Sequence, residues 1–148
     1  MKTFFSLGLL LLGFGCTAGA QQFATRNAHI AFLSETPIED IQAESHEASA
    51  ILDVASGRLA FQVPILSFHF PKALMEEHFN ENYMESEQYP KASFRGTLSG
   101  LDPGSTGAQE VTAKGTLEMH GVALEREVTG TMVPVSYTHL RAHETVMN

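Results

Sequence analysis

The sequence predicts a mainly β domain: a curled antiparallel sheet of about six strands carrying one short helix. Three observations point there. Apolar and polar residues alternate with period two along residues 58–66 and 93–101. Turn signals separate the runs, with Ser56-Gly57, Asp102-Pro103-Gly104-Ser105 and His120-Gly121 among them. Glycines stand inside strand-like runs at 96, 115 and 130, where a sheet bends or coils.

Residues 28–33 form a short apolar strand that stops at Ser34-Glu35-Thr36-Pro37. Residues 38–45 are mixed, with Glu39, Asp40 and Glu44, and read as a loop or a turn of helix. Residues 48–54 and 58–66 form a hairpin around Ser56-Gly57, with Leu59, Phe61, Val63 and Ile65 on one face of the second arm. Pro64 lacks a ladder donor and belongs at an edge or an end. Residues 67–83 break the pattern. Pro71 suits a helix start and Lys72 to Asn80 supplies helix formers, with Asn80 and Asn82 placed to cap the end. Residues 93–101 are the next strand. Residues 110–119 and 122–133 follow as two more, around a tight hairpin at His120-Gly121. An antiparallel sheet that coils this way favours a barrel, and about eight strands close one around a single small ligand.

The two ends read differently from the middle. Residues 1–20 have the form of a cleaved signal segment: Lys2, an apolar run from Phe4 to Phe14, then Ala18-Gly19-Ala20. Cleavage after Ala20 gives a periplasmic or secreted chain with no cysteine left to pair. Cys16 supports the alternative of a lipoprotein, though Phe14 is bulky for that signal. At the other end, residues 135–145 resemble the translated adapter of a transposon-based sequencing library. The expectation is one domain over 21–134, truncated, followed by a non-native tail over 135–148 in which His139 and His143 carry no functional argument.

Composition narrows the partners. The formal net charge is −8, which leaves no basic footprint for nucleic acid. Beyond the signal no stretch is apolar enough to span a bilayer, so an integral membrane protein is not expected. There is no Trp, but there are ten Phe.

Ile65-Leu-Ser-Phe-His-Phe70, Leu74 to Ser86, Tyr89-Pro-Lys-Ala-Ser-Phe-Arg-Gly96 and Lys114-Gly-Thr-Leu-Glu-Met-His-Gly-Val122 resemble the YceI-like family. Its two signatures, Tyr-Pro with a following Phe and Gly-Thr-Leu before His-Gly-Val, occur in order. The resemblance covers about residues 23–134 and implies a lipocalin-like antiparallel β-barrel in the periplasm. It also implies that the lumen holds an apolar ligand, a lipid or polyisoprenoid.

The residues placed to line such a lumen are Phe61, Val63, Phe94, Leu98, Leu117 and Met119. Phe68, Phe70, Leu74, Met75 and Phe79 would form a lid or plug at one mouth. The plainer reading is that these side chains fill one another's space, as in a solid small barrel. The resemblance carries no catalytic set, and the residues point the same way. Ser67, Ser86 and Ser93 lack a nucleophile elbow, no Gly-rich phosphate loop is present, and Glu76 to Glu87 reads as a solvated acidic face. No enzyme and no cofactor are expected. His69, Glu77 and His78 are candidate metal ligands, but no motif with metal spacing supports them, so no metal is expected either. A homodimer stays open. The competing functions are an interaction or stress-response protein with a filled core and the helix around Met75 as docking surface, and an enzyme on a small apolar substrate.

Overall fold

A computed structural model describes residues 21–135 and the backbone of 139–143. The signal reading of 1–20 and most of the tail reading lie outside the described residues. The strands are β1 (Gln22–Ser34), β2 (Ile41–Asp53), β3 (Arg58–Pro64), β4 (Lys91–Ser99), β5 (Gln109–Met119), β6 (Val122–Val135) and β7 (His139–His143). They form one antiparallel sheet in the order β1-β2-β3-β4-β5-β6-β7. Each strand therefore pairs with its sequence neighbours, and the helical segment lies in the long connection between β3 and β4. Among the described residues no pairing joins β7 to β1. The sheet is a curled half-barrel, as the glycine-bearing strands predict.

The curl shows in the packing. Leu52 of β2, Leu98 of β4 and Val111 of β5 belong to one buried cluster, with Leu59, Ala113 and Met132 against it. In a flat sheet β2 and β5 would stand about 14 Å apart, three spacings of roughly 4.8 Å, too far for that. Gly96 and Gly115 face each other across β4 and β5. A Cβ on either would collide with backbone of the other strand. Glycine is what lets the two strands crease together here.

Some elements differ from expectation. β2 begins at Ile41, not at 48, so residues 41–45 of the segment read as loop or helix are strand, while 38–40 are loop. Its inward positions are Ala43 and Ser45, small residues that give a weak hydrophobic signal, while acidic Glu44 faces out. β3 stops at Pro64, and Ile65–Ser67 turns as a 3-10 helix. The helix (α1, Ala73–His78) starts after Lys72 and widens into a π turn over Phe79–Tyr83. Asn80 and Asn82 therefore lie inside the extended helix rather than capping it. Asn80 donates from Nδ2 to the Glu76 carbonyl at 2.9 Å, and Glu85 takes the left-handed backbone beyond the end, at φ 46°.

Candidate functional site

The pairing registers place one apolar row across the sheet. Ala50 of β2 lies opposite Phe61 of β3, Phe61 opposite Phe94 of β4, Phe94 opposite Leu117 of β5, and Leu117 opposite Leu124 of β6. Cross-strand partners point to the same side of a sheet, so these side chains form a continuous stripe. Phe61 and Phe94 stack, with centroids 5.6 Å apart and planes 21° from parallel. The next row along the strands runs Leu52, Leu59, Gly96, Gly115, Arg126. Its centre, Gly96 and Gly115, carries no side chains, and Arg126 stands at its β6 end.

Burial falls along the stripe from β4 to β6. Phe94 is 5% exposed, whereas Leu124 is 44% exposed. Val122 and Met119, paired at the start of the β5–β6 hairpin, are likewise open. The face is covered near β2–β4 and bare near β6.

Of the predicted lumen residues, Phe61, Phe94 and Leu117 share the stripe. Val63 lies in the buried cluster at the helix end, Leu98 in the cluster at the opposite end, and Met119 at the open hairpin. Of the predicted lid, Phe68 and Phe70 are buried in the helix-end cluster with Ile65, Ala43 and Met84, and Met75 and Phe79 pack against it. Phe32 of β1 completes a set of rings, 5.4 Å from Phe68 and 5.9 Å from Phe79. Leu74 is apart from the others, on the exposed side of α1. A crevice of about 470 Å³ lies between the helix and Phe70 and is lined in part by Glu76, Glu77 and Glu81. It includes no residue of the stripe.

The polar groups serve structure. The buried Ser45 hydroxyl donates to Ser67 Oγ at 2.6 Å, and Ser67 in turn donates to the Pro64 carbonyl. That chain ties β2 to the 3-10 turn and holds no base. Asp53 caps the β2–β3 turn: Ser56 N–H donates to its Oδ1 at 3.1 Å. This backbone hydrogen bond, with help from Ser56 Oγ and Arg58, holds the carboxyl below the usual Asp range. His69, Glu77 and His78 do not converge as a ligand group among the described residues. The residues that do, His29, Glu44 and His46, lie on the other face of β1 and β2. They escaped the sequence reading because 15 positions separate His29 from Glu44. Glu44-x-His46 on a strand was the one local signal.

The two signature segments meet. Tyr89 packs against His120, centroids 4.8 Å apart, and its ring occupies the place a Cβ on Gly121 would need, at 2.7 Å. His120 and Gly121 both take positive φ in the hairpin, and His120 Nε2 lies 2.7 Å from Glu85 Oε2. The signatures thus pin the β5–β6 hairpin to the segment that follows the helix.

A curled antiparallel half-barrel with an apolar stripe on its inner face defines a lipocalin-like protein. The sequence model of the YceI-like domain matches residues 22–146, and the chain belongs to that family. The polyisoprenoid-binding domain from Saccharophagus degradans implicated in plant cell wall breakdown is similar in fold, with TM-score 0.60 and 13% identity over 79% of this chain and 70% of that one. The YceI protein of Campylobacter jejuni is 14% identical over 89% of this chain and 63% of that one, with TM-score 0.45. No curated protein sequence matches. No helix of the described residues is long and apolar enough to cross a membrane.

Proposed function

We propose that this chain binds the apolar tail of a lipid or polyisoprenoid along the stripe Phe61, Phe94, Leu117, Leu124, and catalyses nothing. The observation that carries this reading is the uncovering of one in-register apolar row toward β6. An apolar face left bare is unfavourable unless something covers it. Burying a methylene contributes about 0.8 kcal/mol, so about ten of them supply roughly 8 kcal/mol before entropic costs, near the micromolar scale. Arg126, in the row beside the stripe, is placed to meet an anionic end of such a ligand. The family and the polyisoprenoid-binding neighbour support the same reading, and with the signal-like start they support action in the periplasm.

The test is mass spectrometry of the organic extract of the protein purified from a bacterial periplasm. A stoichiometric isoprenoid or acyl chain supports the carrier reading. An empty extract from folded, monodisperse protein overturns it. A second reading rests on a different observation. The helix end is already filled by its own rings, and Leu66, Leu74 and Tyr83 stand exposed around it. An interaction protein docking through α1 fits that end. It predicts that Leu74→Ser abolishes partner capture without changing the extract.

A further inference from the structure

His29, Glu44 and His46 form a group on the outer face of the β1–β2 pair, the side away from the apolar stripe. Ala28 and Ile30 pack inward, which turns His29 out between them. Ala43 and Ser45 are buried, which turns Glu44 and His46 out. The register brings the three side chains together. Ala28 pairs with Ala48 and Ile30 with Ser45, so His29 alone stands opposite His46 and Glu47. That two-against-one arrangement is a β-bulge, and a bulge re-aims the side chains at it. Glu47 N–H donates to Ser45 Oγ at 3.2 Å inside the bulge.

The donor geometry suits one ion. His29 Nε2 and Glu44 Oε2 are 3.1 Å apart, a usual separation for two ligands each about 2.0–2.2 Å from a shared metal. The rings of His29 and His46 stack at 4.4 Å with planes 18° apart. One ligand atom from each of the three residues lies within 4.8 Å of the others. All three side chains are exposed, so small rotations can bring the donors to bonding distance. Two imidazoles with one carboxylate select Zn²⁺, Cu²⁺ or Ni²⁺ over Ca²⁺ or Mg²⁺, which prefer oxygen alone. Three protein ligands leave a position for water, the pattern of an open and exchangeable site rather than a closed structural one.

We propose that His29, Glu44 and His46 bind a divalent transition metal ion and that this ion clamps β1 to β2 across the bulge. β1 is the first strand of the sheet and its pairing shifts register twice, between Thr25 and Ala28 and between Ala28 and Ile30. A ligand that bridges the two strands there fixes the register where the ladder alone is interrupted. His69 pairs with Glu44 through the backbone on the same face, but its ring turns toward Glu76, with Nδ1 to Oε1 at 3.9 Å. It serves as the internal control.

The test titrates Zn²⁺ into the metal-free full chain by calorimetry, with His139→Gln and His143→Gln introduced throughout so that the C-terminal histidines supply no ligand. One Zn²⁺ per chain is expected, with a rise in Tm. His29→Gln and His46→Gln should each weaken binding by about tenfold or more and remove the Tm rise. Glu44→Gln should weaken it less, and His69→Gln should leave it unchanged. Cu²⁺ in place of Zn²⁺ should show two bound imidazole nitrogens by electron paramagnetic resonance, and one in either His variant. Circular dichroism of each variant separates loss of a ligand from loss of the fold. Zn²⁺ binding that survives His29→Gln and His46→Gln in folded protein overturns the proposal, as does absence of binding to the folded parent.

Discussion

The helix end of the sheet and the β5–β6 hairpin are built from the same kinds of residue and finish in opposite states. At the helix end, Phe68 and Phe70 are buried among Ala43, Val63, Ile65 and Met84, with Phe32 edge-on to both and Phe79 edge-on to Phe68 and tilted against Phe70. At the hairpin, Met119 of β5 and Val122 and Leu124 of β6 share one face of the sheet but stay open. The difference is a second layer. The 3-10 turn, α1 and the π turn fold back over β1–β4, while nothing among the described residues folds over β6. Apolar patterning fixes which way a strand faces, and a covering element decides whether that face becomes core.

The largest expected effect breaks both regions at once. Gly96→Val or Gly115→Val puts side-chain atoms where the facing strand's backbone lies, so the crease must open and the fold should fail. Soluble yield and circular dichroism check it. Next, the two ends should separate sharply. Phe68→Ala should cost about 3–5 kcal/mol in urea unfolding, while Leu124→Ala should cost no more than about 0.5 kcal/mol, as for a surface position. If a lipid covers the stripe, Leu124→Ala should still reduce the lipid recovered on extraction, and Phe68→Ala should not reduce it in the fraction that folds.

Gly121→Ala tests what pins the bare hairpin. It forces a side chain into positive φ and against Tyr89, and should cost about 1–2 kcal/mol. Tyr89→Ala in the same chain should recover the part due to the clash. The smallest effect is at the β2–β3 turn. The Asp53 carboxyl is held below its usual range, so it stabilises above an unfolded pKa of 3.8, and that stabilisation fades as pH falls through the lower folded value. The Tm of Asp53→Asn should lie slightly below that of the parent at neutral pH and converge with it in acid.

Much of this arrangement was legible in the sequence. Leu59, Phe61 and Val63 alternate with polar partners, and the turns at Gly57, Asp102 and His120-Gly121 stand where their residues place them. The start of β2 was not legible, because its inward residues Ala43 and Ser45 are too small to mark a face and its outward ones are polar. The division of the predicted lid was not either. Phe68, Phe70 and Phe79 turn inward and Leu74 outward because the chain enters α1 through an extended Lys72 and leaves it through a widened turn, and neither carries a helix-breaking residue. The outer-face histidines depend on a bulge, and bulges come from pairing, which no single strand records.

The facing pair Gly96 and Gly115 separates two properties that most cavities couple. Where side chains set the width of a channel, any change of selectivity also changes its calibre. Here the bend is held by main chain against main chain, and the stripe runs beside it without setting it. Exchanging Phe61, Leu117 or Leu124 should therefore change the surface the stripe offers while leaving the bend of the sheet as it was.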